Sequence, residues 1–199
     1  DDGDARGAYK NINMDVREYK KLKMFVHAEA LEDEILEDDE VRIFVRLGTD
    51  YKNNYYEYEI PLKVTKPGNY GDLDRLTVWP EENNVEIILD ELVQVKQARN
   101  DEMRRANTTI TNNSIYSVYK DDKKRLSVRG NPNLSNVVTI MIDVRNPSKQ
   151  NNIISDDDGM PKSGVIWVNE LRLTDFKEEG GWAARGRVSA RLAALGMVN

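Results

Sequence analysis

Apolar residues recur at every second position through most of this chain, the pattern of strands buried on one face. Between 22 and 30, Leu22, Met24, Val26, Ala28 and Ala30 share one face, opposite Lys23, Phe25, His27 and Glu29. In 41–47, Val41, Ile43, Val45 and Leu47 alternate with Arg42, Phe44 and Arg46; in 56–62, Tyr56, Tyr58, Ile60 and Leu62 alternate with Glu57, Glu59 and Pro61. Val138, Ile140, Ile142 and Val144 make a fourth such face, and shorter strands are predicted at 9–16, 85–89, 115–119 and 125–129. The run Val165-Ile166-Trp167-Val168 predicts a central strand over 164–174, covered on both faces at its start, with Leu171 and Leu173 continuing the Trp167 face.

One helix is predicted over roughly 90–106, rich in good helix formers and free of Gly and Pro, with Ile88, Leu92, Val95, Arg99 and Met103 as its inner stripe. Turns fall at Lys66-Pro67-Gly68-Asn69, Arg129-Gly130-Asn131-Pro132 and Asp156-Asp157-Asp158-Gly159, and the polar run 146–163 reads as a long surface loop. The strands lie too close together for helical crossovers, so the predicted fold is all-β and antiparallel: a jelly-roll-like β-sandwich of about nine strands with one helix, over 1–176.

The pattern changes after Phe176. Beyond a charged turn, Trp182, Ala184, Gly186, Val188, Ala190 and Leu192 alternate with Arg185, Arg187, Ser189 and Arg191, so 177–199 reads as the start of an outer-membrane barrel strand. A surface helix is the competing reading, because Val188, Leu192 and Leu195 also fall at helical spacing. The acidic opening residues and this tail suggest a piece of a larger polypeptide.

The composition removes several functions. A net charge of -6, with basic residues dispersed, argues against nucleic acid as a partner. The absence of cysteine excludes disulfides and thiolate metal sites, and no run approaches the ~20 apolar residues of a membrane helix. The one short basic run, Lys123-Lys124-Arg125, reads as a solvated turn.

Candidate chemistry is sparse. His27 is the single histidine and is expected at an exposed strand position. Glu57 and Glu59 have the pairing of glycosidase carboxylates, but a solvated strand face is the expected reading. Asp156, Asp157 and Asp158 offer oxygen ligands for calcium without matching an EF-hand loop, and are expected to be an acidic turn. Catalytic, cofactor-binding and metal-binding residues are therefore expected to be absent. Among the aromatics, Tyr51, Tyr55 and Trp79 are the candidates for contact with a partner or a glycan, Tyr55 as the best exposed, whereas Tyr56, Tyr58 and Trp167 are expected in the core.

Several stretches resemble the SprA/Sov family, the gliding-motility and type IX secretion translocons of Bacteroidota. They are Tyr19–Glu29 (YKKLKMFVHAE), Asn54–Lys63 (NYYEYEIPLK) and Trp167–Phe176 (WVNELRLTDF) running on to Trp182, supported by Arg129–Leu134 and Val78–Asn83. Within the third, Trp167, Asn169, Glu170, Arg172, Asp175 and Trp182 carry the likeness. The resemblance implies an internal region of a large outer-membrane barrel that passes cargo to the cell surface, with no catalytic residues. It implies as partners the rest of the barrel, its plug, an accessory lipoprotein and cargo bearing a C-terminal sorting domain. Long segments between barrel strands favour the extracellular over the periplasmic side. The competing expectation is a carbohydrate-binding jelly-roll module at the cell surface.

Overall fold

The computed structural model describes residues 1–31, 34–121, 123–150, 152 and 157–177. Among them the chain forms nine strands: β1 (Ala5–Met14), β2 (Tyr19–Ala30), β3 (Arg42–Gly48), β4 (Tyr55–Pro61), β5 (Val85–Ile88), β6 (Tyr116–Lys120), β7 (Lys124–Arg129), β8 (Val137–Arg145) and β9 (Gly164–Phe176). A one-turn helix α1 (Arg75–Val78) precedes β5, and α2 (Leu89–Met103) follows it. The strands form two antiparallel sheets, ordered β1-β8-β3-β4-β7-β6 and β5-β2-β9. Each strand predicted within 1–176 is present, and the all-β sandwich is the observed fold.

The core lies between the sheets. Ile43, Val45 and Leu47 of β3, Tyr56, Tyr58 and Ile60 of β4, and Leu126 and Val128 of β7 face Leu22, Met24, Val26 and Ala28 of β2 and Val85 and Ile87 of β5. Three strands cannot cover six. Helix α2 fills the shortfall by packing against β7 and β6 with Leu89, Leu92, Val95 and Arg99 buried. Leu89 takes the place in that stripe expected of Ile88, because the helix starts one residue after it.

Arg99 is the unusual member of the stripe, 1% exposed. Its guanidinium donates to the Gly130 carbonyl and to Asn100 Oδ1 (2.9 Å), which satisfies a charge that burial alone would make costly. Gly130 has φ +71, and a Cβ there would lie 2.1 Å from the Asn53 carbonyl oxygen, so only glycine fits this turn. Tyr56 and Lys96 donate to the carbonyl of Pro132 beside it, at 3.2 and 2.8 Å. The helix is thereby tied to the β7–β8 connection as well as to the core.

Strand β9 departs from expectation. Among the described residues it is an edge strand, paired only with β2, and most of its side chains reach solvent. Trp167 is 59% exposed rather than buried. The register explains why. Asn169 pairs with Phe25 but Arg172 with Lys23, so β9 carries one extra residue, with Glu170 at φ +55. That bulge flips the parity: Leu173 faces inward with Leu22, whereas Trp167 lies beside His27 on the outer face.

Ile87 is fully buried where β5, β2 and α2 meet. Ile87→Ala is expected to cost about 2–5 kcal/mol, read as a lower urea midpoint with unchanged slope.

Candidate functional site

The outer face of the six-stranded sheet carries an ion lattice in place of the solvated carboxylates expected there. Glu57 and Glu59 are 3% and 2% exposed. Arg42 Nε lies 2.7 Å from Glu59 Oε1, and Arg46 Nε 2.8 Å from Glu57 Oε2. Arg125 Nη2 bridges both carboxylates, at 3.2 Å to Glu57 and 2.6 Å to Glu59, and Arg145 also reaches both. The reason is positional: β3, β4 and β8 lie inside the sheet, and residues of 146–152 and Gly3 border the cavity above them. Arg145 stacks over Phe44 at 4.3 Å, and Arg46 over Tyr55 at 4.1 Å.

This arrangement does not suit acid catalysis. Burial raises the Glu57 carboxyl, but Arg145, Arg46 and Arg125 together outweigh it and hold it below its usual value. A glycosidase acid needs the opposite shift. Asp143, buried on the same face with Oδ1 unpartnered, is pushed up, chiefly by burial. Arg125 is drawn into the lattice from a run expected to be solvated. The cavity above, about 270 Å³, is lined by charges already committed to one another.

The other outer face, on the small sheet, is built differently. His27, expected at the surface, is 6% exposed. Its Nδ1 lies 2.6 Å from the Val78 carbonyl, so that nitrogen carries the proton, and its ring lies 5.7 Å from Trp79. Thr65 joins β2 to the 75–84 segment: its amide donates to Ala28 O (2.8 Å) and its hydroxyl lies 3.3 Å from the carbonyls of Thr77 and Val78. Asn83, wholly buried, exchanges two hydrogen bonds with the Lys63 backbone at 2.6 and 2.8 Å. These contacts pin the 75–84 segment over β2 and leave a cleft of about 370 Å³ between it and β9. Phe25, Leu76 and Trp79 supply its apolar lining; Arg75, Glu81, Asn84, Asn169 and Glu170 supply the polar one.

The expected contact residues are thus divided between two sides of the sandwich. Tyr55 is 1% exposed beneath Arg46, which corrects its assignment as the best exposed aromatic. Tyr51 stacks on Tyr9 at 4.6 Å, also on the large-sheet side, while Trp79 stands on the small-sheet side. Of the family-like residues, Asn169 and Glu170 line the cleft, Arg172 pairs with Glu170 (2.7 Å) over the Phe25 ring, and Asp175 lies 4.0 Å from Lys21 Nζ. Trp182, the expected barrel strand and Asp156 lie outside the described residues. Asp157 accepts from Asn152 Nδ2 (2.7 Å) and from the Gly159 amide (2.8 Å), and Asp158 from the Met160 amide (2.8 Å) and Lys162 (2.9 Å). Among the described residues no three His, Cys, Asp or Glu side chains gather as metal ligands.

The edges of the sheets differ in their protection. Strand β1 carries Arg6, Lys10 and a bulge between Asn11 and Met14, while β5 and β6 are four and five residues long. Strand β9 has 13 residues, no Lys and no Pro, and its first half, GVIWVN, bears no charge. Among the described residues it therefore leaves a long row of backbone donors and acceptors without strand partners.

The described residues thus form a two-sheet β domain with an ionic outer face on one sheet and an open, partly apolar edge on the other. The chain matches, over residues 1–199, the SprA_N family of motility related/secretion proteins, and it belongs to that family. No curated protein matches it. The family is one of motility and secretion proteins rather than of enzymes, which associates the chain with the cell envelope. Among the described residues no helix is long and apolar enough to cross a membrane, a statement that does not bear on strands.

Glu57→Gln is expected to destabilise the fold by about 3–5 kcal/mol, since it leaves guanidinium groups buried without their counter-charge. Because the folded Glu57 carboxyl lies below its unfolded value, its contribution is complete above the unfolded value and is lost as pH falls through the folded one. Urea midpoints of both proteins should therefore converge as the pH is lowered through the carboxylate range. A constant gap would show that Glu57 acts by packing alone.

Proposed function

We propose that this domain is a non-catalytic structural and interaction module of the outer-membrane translocon of type IX secretion, supporting export of cargo to the cell surface and gliding motility. The observation that carries the reading is strand β9, among the described residues an unguarded edge bearing Trp167, Val168, Leu171 and Phe176 exposed at 59, 45, 40 and 58%. So much apolar surface along open backbone suits contact with further protein. Membership of a motility and secretion family supports the role. The partners the reading implies are the rest of the barrel, its plug, an accessory lipoprotein and cargo with a C-terminal sorting domain. It places the domain on the extracellular side. No metal or organic cofactor enters this reading.

The test separates fold from role. Trp167→Ser is expected to change stability by less than about 0.5 kcal/mol, as surface substitutions do. In the intact parent protein it should nonetheless lower the amount of cargo reaching the cell surface, measured by surface proteolysis. Removal of residues 1–177 should abolish that delivery. Normal export after removal would sink the reading.

A further inference from the structure

We propose that the cleft between α1 and the outer face of β2 and β9 is a binding site for a neutral carbohydrate, with one pyranose ring of a glycan seated against Trp79 and Phe25. This goes beyond the secretion role and can fail independently of it. The first ground is the state of the polar groups. Arg75, Glu81, Asn84 and Asn169 line the cleft, yet none makes a side-chain hydrogen bond or ion pair among the described residues. The cavity over the Arg–Glu lattice is the opposite case, since its charges satisfy one another.

The second ground is the backbone. Consecutive strand residues point to opposite faces, so Asn169 and Glu170 both line one cleft only because of the bulge. Glu170 holds φ +55 to do so, a conformation costly for a non-glycine residue and concentrated at binding sites. The opposite wall is preformed, because His27, Thr65 and Asn83 hold the segment that carries Trp79.

The lining chemistry selects the ligand. A pyranoside has a C–H face that lies against a ring and a rim of hydroxyls, each both donor and acceptor. Carboxamides such as Asn84 and Asn169 also donate and accept, and so meet that rim in either sense. Arg75 and Glu81 balance in charge, and Glu170 is neutralised by Arg172 at 2.7 Å, so the ligand is uncharged. An anion would face Glu81 and Glu170. A wholly apolar ligand would strip water from four unpaired polar heads. The volume, about 370 Å³, falls in the ~300–1,000 Å³ range of small-molecule sites.

The test titrates the isotopically labelled chain with cellohexaose, maltohexaose, mannohexaose and chitohexaose, each to roughly 10 mM, enough to populate a millimolar site. At least one sugar should produce saturable shifts of the Trp79 indole N–H and of the Asn84 and Asn169 side-chain amides. Asn169→Ala, at an exposed position, should weaken that binding about tenfold, equal to about 1.4 kcal/mol, with the fold intact. Tyr51→Ala, on the other side of the sandwich, should leave it unchanged. The same hexasaccharide carried on a lipid should bind equally in vesicles, which separates the glycan from its anchor. The proposal is overturned if no sugar shifts the cleft, if Asn169→Ala has no effect, or if only vesicles bind. It is likewise overturned if extended peptides, and not sugars, perturb these residues, which would make the cleft part of a protein interface.

Discussion

Four guanidinium groups and two carboxylates packed across β3, β4, β7 and β8 govern the large sheet. A half-buried strand needs one apolar face; β3 and β4 are buried on both. The second face must then be apolar or fully paired, because an isolated buried charge costs several kcal/mol. Here it is paired, with Glu59 held by Arg42, Arg125 and Arg145 and Glu57 by Arg46, Arg125 and Arg145. Such a lattice adds little net stability over a well-packed apolar layer. What it adds is register. A one-residue slip of β4 would send Glu57 and Glu59 into the core between the sheets and bring Tyr56 and Tyr58 out.

The same constraint explains why the strands were legible in the sequence and their outer faces were not. Alternation reports that one face is apolar, and that sufficed to locate β1 to β8 and to place Tyr56, Tyr58 and Ile60 inward, while a run of consecutive apolar residues located β9. Whether the other face meets water depends on residues remote in the chain. Glu57 is buried because Arg145, 88 positions away in sequence, reaches it, and because Pro147, Ser148 and Asn152 border the cavity over the sheet. Tyr55 is hidden for the same reason, under Arg46. Arg99 was readable, because its place in a helical stripe announced an inward arginine, and the Gly130 turn supplies the acceptor it needs.

On the small sheet the errors have a different origin. His27 read as exposed because its strand neighbours Lys23 and Glu29 are polar, but the 75–84 segment folds back over it and uses its Nδ1 as an anchor. Trp167 read as core because four apolar residues ran together. No residue type in WVNELRL marks a bulge, since Glu170 takes a positive φ more often adopted by Gly, Asn or Asp. A single inserted residue therefore reversed the assignment of every side chain on one side of it.

Both surface features return to that bulge. It ends the uncharged half of β9, so the edge most open to another chain is Gly164–Asn169, and past it Glu170, Arg172 and Asp175 discourage continued pairing. It also turns Asn169 and Glu170 together toward Trp79. One strand thus presents its backbone along its edge and its amide and carboxylate across its outer face. These directions are roughly perpendicular, so a partner strand beside β9 and a ligand above it would not compete for the same atoms. The large sheet has committed its buried charges to holding its own strands in register, and recognition is left to the strand that the lattice does not reach.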